Sequence, residues 1–132
     1  MTIAYWCVLV AIFLPYVWFG VANATGKGQR DNHSPRDFGQ HIQGLPKRAY
    51  GAHLNAFEAL PAFAAAVVIA EAVHASQGLV DGVALCWVAL RLLHGVFYLT
   101  DKGSLRSAAW FGGLICVVAL FVVAAVAPHA SA

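Results

Sequence analysis

Charged and apolar positions alternate in long blocks along this chain. No Lys, Arg, Asp or Glu occurs before Lys27, and residues from about 3 to 23 form a nearly unbroken apolar run. A polar stretch of about residues 24–47 follows. It carries Lys27, Arg30, Asp31, Arg36, Asp37 and Lys47 together with Pro35, Pro46 and several glycines, the composition of a connecting loop. Three further apolar blocks occupy about residues 48–74, 79–100 and 105–127, and Pro128 marks the end of the last. A hydrocarbon layer about 30 Å thick is crossed by roughly 20 helical residues, so each block is long enough to span it. The pattern predicts an all-α membrane protein folded as a single domain of four transmembrane helices, with no internal repeat.

The first block reads as a retained span despite the small-x-small pattern Ala22-Asn23-Ala24 at its end. A cleaved signal peptide has a basic segment before an apolar stretch of about 7–15 residues. Here no basic side chain precedes the apolar run, and the run is longer.

Composition agrees with the pattern: 61% of the 132 residues are hydrophobic and 11% charged, against roughly 45–50% apolar in a soluble globular domain. The basic residues are unevenly placed. Five (Lys27, Arg30, Arg36, Lys47, Arg48) fall in or beside the first loop and two (Lys102, Arg106) in or beside the third, whereas the second loop and both tails hold none. Lys and Arg near span ends are retained in the cytoplasm, which predicts N-out, C-out topology. The formal charge of +2 reflects this asymmetry rather than a nucleic-acid surface. Cys7, Cys86 and Cys116 lie in three different spans without metal-ligand spacing; they read as small buried apolar residues rather than as disulfide or metal positions.

An ionisable group at the centre of a membrane helix costs at least about 2.5–3.5 kcal/mol and needs a partner, a water-filled cavity or a function. The second span carries Arg48, His53, Asn55 and Glu58 in its first three turns, and the third carries Arg91, His94 and Tyr98 in its second half. Because these spans run in opposite directions, both groups belong to the cytoplasmic half. Residues three or four apart share a helical face: Arg48, Ala52, Asn55 and Glu58 form one stripe, and Arg91, His94 or Gly95, and Tyr98 form another. A pairing of Glu58 with Arg91 satisfies both charges. On these residues alone the pair is equally a functional site or a buried ion pair that registers two helices. Pro61 withdraws a hydrogen bond from the carbonyl of Phe57 and is expected to bend the second span. Glu71, His74 and Asp81, near span ends, are expected to be solvated; His33 and His41 lie in the loop without ligand company; Tyr5, Trp6 and Trp18 fit interfacial anchoring.

The stretch Arg48-Ala-Tyr-Gly51-Ala-His53-Leu-Asn55-Ala-Phe-Glu58-Ala-Leu-Pro61-Ala-Phe63 resembles the second helix of the membrane-associated proteins in eicosanoid and glutathione metabolism, the MAPEG family, with its Ala-His-x-Asn-x-x-Glu pattern followed by Pro and Phe. Arg91-x-x-His94-x-x-x-Tyr98 and the later Leu105-Arg106 are similar to the family's second signature. The resemblance implies a bacterial-type member in the inner (plasma) membrane. It also implies a homotrimer that binds glutathione as co-substrate between subunits near the cytoplasmic face. By motif, Asn55 and Glu58 would hold the amino-acid end of the tripeptide, with Arg48, Arg91, His94 and Tyr98 completing the binding set. Arg106 would be the catalytic residue facing the sulfur, since a guanidinium favours a nucleophilic thiolate. No metal is implied. Two departures stand out: Gly51 where glutathione-using members typically have Arg, and His94 where some have Tyr. Arg48, nearly one turn from Gly51, is the candidate substitute anchor.

The function this implies is a glutathione- or thiol-dependent transferase or peroxidase acting on apolar small molecules that arrive through the lipid. The alternative is a non-catalytic trimeric scaffold or accessory subunit that keeps the pocket for lipid or a protein partner. A proton-coupled exporter working through Glu58 is disfavoured by the seven-to-zero bias of basic residues between loops.

Overall fold

The computed structural model describes residues 1–29 and 37–127. Arg30, Asp31, His33, Pro35 and Arg36 of the first loop, and Pro128 beyond the last span, lie outside the described residues. Four helices are long and apolar enough to cross a membrane: α1 (Ile3–Thr25), α3 (Leu45–Ala72), α4 (Gln77–Leu99) and α5 (Gly103–Ala125). A short helix, α2 (Phe38–His41), sits in the first loop. At 1.5 Å per residue, the 23 residues of α1 extend about 35 Å, enough for the hydrocarbon layer with little tilt.

Each helix begins and ends for local reasons. Thr2 Oγ1 accepts the amide of Tyr5 at 3.4 Å and caps α1. Gly44 enters α3 with φ +69°, a conformation that favours glycine, and Pro46 occupies the first turn, where its missing N–H is no loss. This chemistry starts α3 at Leu45, about one turn before the apolar block begins. The α3–α4 connection turns through His74 (φ +54°) and the α4–α5 connection through Asp101 (φ +59°). Helix α3 continues through Pro61.

Small residues set how closely the helices approach, as expected where van der Waals packing rather than hydrophobic transfer drives association. The buried stripe of α1, Ala4, Cys7, Ala11, Leu14, Trp18 and Ala22, repeats every three or four residues and packs along α3, whose buried positions include Ala49, Ala52, Ala56, Ala66 and Ala70. Between α3 and α4, Phe63 stacks on Trp87 with centroids 3.8 Å apart and planes 2° from parallel. Trp18 is buried against Gly95 of α4, where a Cβ would overlap its indole. It is therefore a core residue and not an interfacial anchor. Trp6 is 54% exposed.

At the end of the bundle where α1 begins, Glu71 and Asp81 do more than meet solvent. Thr2 Oγ1 donates to Glu71 Oε1 at 2.6 Å, the Ala4 amide donates to Asp81 Oδ1 at 2.8 Å, and Gln77 Nε2 donates to both carboxylates. These half-buried acids hold the α1 N-terminus, whose free amides and positive dipole end suit them; His74 alone of the three is exposed. The cysteines also differ from their expected setting: Cys7 and Cys116 are buried, but Cys86 is exposed.

Candidate functional site

At the opposite half of the bundle, α3, α4 and α5 converge on Arg91. Its side chain is only 3% exposed. Nη2 donates to Asn55 Oδ1 at 2.6 Å and to the Asn55 carbonyl at 3.2 Å. Asn55 Nδ2 in turn donates to Glu58 Oε2 at 3.3 Å. The direct Glu58–Arg91 pairing is not formed; Asn55 stands between them. The reason is rotational: Asn55 lies on the flank of α3 that meets α4, whereas Glu58, three residues on, is exposed at the rim. The guanidinium Nε of Arg91 is buried without a hydrogen-bond partner, and the guanidinium carbon lies 5.9 Å from the Trp87 ring centroid.

Two adjoining cavities open beside this relay. One of about 190 Å³ is lined by Asn55, Glu58, Trp87, Arg91 and Trp110, with Ala62, Leu114 and other small or aliphatic residues completing its wall. The other, about 370 Å³, is lined by Asn55, His94, Tyr98, Arg106, Trp110 and Phe111 among others. Asn55 and Trp110 belong to both walls. The tight turn through Asp101 sets α5 back against α4 and brings Arg106 over the Tyr98 ring, 4.5 Å from its centroid; His94 meets the same ring edge-on at 5.6 Å. Among the described residues no carboxylate pairs with Arg106.

Of the residues named from sequence, the structure thus brings together Asn55, Glu58, Arg91, His94, Tyr98 and Arg106. It does not bring Arg48 to either cavity wall. Arg48 Nε donates to the Leu99 carbonyl at 3.1 Å, satisfying a carbonyl left free at the C-terminus of α4. Gly51 faces Tyr98, and a Cβ there would lie 2.7 Å from the phenol oxygen. The Tyr98 ring fills the space that a side chain at position 51 would need. His53 leaves the site: its Nδ1 donates to the Pro15 carbonyl at 2.9 Å, and its ring packs among Phe19, Tyr50 and Phe57. Trp87 and Trp110 were not named from sequence. Each stands four residues from a candidate arginine, Trp87 before Arg91 and Trp110 after Arg106, and that one-turn spacing was the available signal. Among the described residues no group of three or more His, Cys, Asp or Glu could hold a metal ion.

The model of the MAPEG family matches residues 3–126. The chain belongs to the MAPEG family. No curated protein and no solved structure matches it. The match covers all four spans, and with it the Asn55–Glu58 segment, the Arg91–Tyr98 segment and the Leu105-Arg106 pair of this MAPEG protein lie within the matched region.

Proposed function

We propose that this MAPEG protein is a glutathione- or thiol-dependent transferase or peroxidase acting on lipophilic electrophiles. The observation that carries the reading is the pair of cavities sharing Asn55 and Trp110. The cavity lined by Glu58 and Arg91 offers complementary groups for an amino-acid zwitterion. Arg91, with its unpartnered Nε, suits a carboxylate; Glu58, at the rim, suits an ammonium group. The cavity lined by His94 and Tyr98 offers Arg106, a cation free of carboxylate partners among the described residues. A tripeptide with its γ-glutamyl end at Asn55, Glu58 and Arg91 has its cysteine toward Arg106. A free thiol has a pKa near 8.5, and a neighbouring guanidinium shifts its equilibrium toward thiolate. In the transferase reaction the sulfur attacks the electrophilic carbon, a C–S bond forms, and the bond from that carbon to the displaced group breaks, the group leaving with the electron pair and taking up the thiol proton. In the peroxidase reaction the sulfur takes the terminal peroxide oxygen, an S–O bond forms as the O–O bond breaks, and the alkoxide leaves as the alcohol with the thiol proton. A second glutathione then displaces water from the sulfenic acid to give the disulfide. Leu114 and the aliphatic wall beside it suit an apolar substrate entering from the bilayer.

Glu58 is exposed within a spanning helix, where lipid is a costly neighbour. A second copy of the chain covering that face, in a homotrimer, answers the cost. Lys27, Lys47, Arg48, Lys102 and Arg106 cluster at the site end of the bundle, which supports N-out, C-out insertion with the site in the cytoplasmic half of the inner membrane. A second reading, a non-catalytic trimeric scaffold binding lipid or a partner, draws on Gly51: its space is occupied by Tyr98, so no anchor arises there. Equilibrium binding of glutathione to the protein in nanodiscs separates the two. The enzyme reading predicts saturable binding that weakens at least about tenfold in Asn55→Ala, the equivalent of roughly 1.4 kcal/mol. Absence of saturable binding by the wild type favours the scaffold.

A further inference from the structure

Two of the three cysteines face one another across α4 and α5, outside both cavities. The antiparallel register of these helices is visible at two glycines of α5. A Cβ at Gly112 would lie 3.0 Å from Leu90 Cδ1, and one at Gly113 would lie 3.6 Å from Arg91 Cδ and 3.7 Å from Trp87 Nε1. One turn further along α5 from Gly112 stands Cys116, and one turn back along α4 from Leu90 stands Cys86. Residues four apart share a face, so the register that seats Leu90 on Gly112 sets Cys86 opposite Cys116. Cys86 is accordingly a side-chain neighbour of the Cys116 thiol. The paired glycines let the two backbones approach closely, and a disulfide requires Cα atoms within about 7 Å. The two thiols differ in access. Cys116 is 7% exposed within the core, whereas Cys86 is exposed near the middle of α4, a helix long and apolar enough to cross a membrane.

We propose that Cys86 and Cys116 are a redox-active dithiol that lipid hydroperoxides convert to a disulfide between α4 and α5. Cys86, the accessible thiol, is the attacking group. Its sulfur takes the terminal oxygen of the hydroperoxide, the O–O bond breaks, and the alkoxide leaves as the alcohol with the thiol proton. Cys86 is left as the sulfenic acid. The Cys116 sulfur then attacks the Cys86 sulfur, the S–O bond breaks, and water departs with the second thiol proton. Overall, two thiols and one hydroperoxide yield one disulfide, one alcohol and one water; the sulfur pair loses two electrons and the peroxide gains them. A hydroperoxide is the oxidant of choice because it partitions into the same apolar phase as the exposed sulfur. The bond ties α4, which carries Arg91, His94 and Tyr98, to α5, which carries Arg106 and Trp110. The proposal requires no glutathione and stands apart from the reading of the cavities.

The test uses the full-length protein in nanodiscs, exposed to cumene hydroperoxide and then alkylated under denaturing, non-reducing conditions. Trypsin places the three cysteines in separate fragments, since Lys27, Arg48, Arg91 and Arg106 divide them. The expected result is loss of two of the three alkylatable thiols, their recovery on reduction, and a linked pair made of the fragment ending at Arg91 and the fragment beginning at Ser107. In Cys116→Ser, a sulfenic-acid trap should label Cys86. In Cys86→Ser, labelling of Cys116 should fall at least tenfold below that. Retention of all three thiols under conditions that oxidise a free thiol peptide would overturn the proposal. So would a Cys86 link to another copy of the chain, or equal trapping at Cys116 in Cys86→Ser.

Discussion

Replacing Asn55 by Leu removes the side chain on which the buried charge of Arg91 depends. Two contacts go: Arg91 Nη2 to Asn55 Oδ1 at 2.6 Å, and Asn55 Nδ2 to Glu58 Oε2 at 3.3 Å. Interhelical hydrogen bonds in a membrane protein average only about 0.6 kcal/mol by double-mutant cycles, because neutral groups find other partners. Arg91 is a different case. It is 3% exposed, its Nε already lacks a partner, and after the substitution it keeps, among the described residues, only the bond to the backbone carbonyl of residue 55 at 3.2 Å. A hydrogen bond to a charged group contributes roughly 1.5–3 kcal/mol, so the expected loss is about 2 kcal/mol. Removing the charge as well should reverse most of it, since an apolar replacement of a whole buried polar pair is often neutral or stabilising. The double variant Asn55→Leu/Arg91→Met should therefore be more stable than Asn55→Leu alone, and the pair should couple more strongly than Glu58 with Arg91. Reversible SDS unfolding in bicelles, followed by tryptophan fluorescence, measures each corner of both cycles. A loss of about 0.6 kcal/mol or less in Asn55→Leu, or a double variant no better than the single, would refute the relay.

Gly95→Ala should destabilise the bundle by about 1–3 kcal/mol, the usual effect of overpacking, because its Cβ overlaps the Trp18 indole; the same unfolding measurement should show partial recovery in Trp18→Phe/Gly95→Ala. For topology, a cysteine introduced at Asp37 in a cysteine-free background should react with an impermeant maleimide only after intact cells are opened. Reaction from outside would reverse the orientation and remove the site from the cytoplasmic half.

The spans were legible because runs of apolar residues about 20 long have one economical fate in lipid. The convergence of Asn55 and Glu58 with Arg91 and Tyr98 was legible for a related reason: the direction of each span fixes which halves of the second and third helices share a depth. Periodicity stops short of rotation. Spacing of three or four places Asn55 and Glu58 on one face, but only packing decides that Asn55 meets Arg91 while Glu58 turns to the rim. Trp18 read as an interfacial aromatic because nothing nearby in sequence announces the notch at Gly95, which belongs to another helix. Arg48 looked like a substitute anchor by its spacing from Gly51, yet the nearby C-terminus of α4 offers a free carbonyl at Leu99. Glu71 and Asp81 were legible as span-end acids, but their use by the α1 N-terminus depends on how α1 lies against α3 and α4.

In the proposed function, Arg106, and no cysteine of the protein, sets the ionisation of a thiol bound between α3, α4 and α5. The direct measurement is the ultraviolet thiolate band of bound glutathione, titrated against pH in wild type and Arg106→Leu at saturating tripeptide. Removing a cation takes away support for the anion, so the midpoint should rise in the variant by at least about one pH unit, the equivalent of roughly 1.4 kcal/mol. An unchanged midpoint, with glutathione shown to be bound to both proteins, would remove Arg106 from the chemistry.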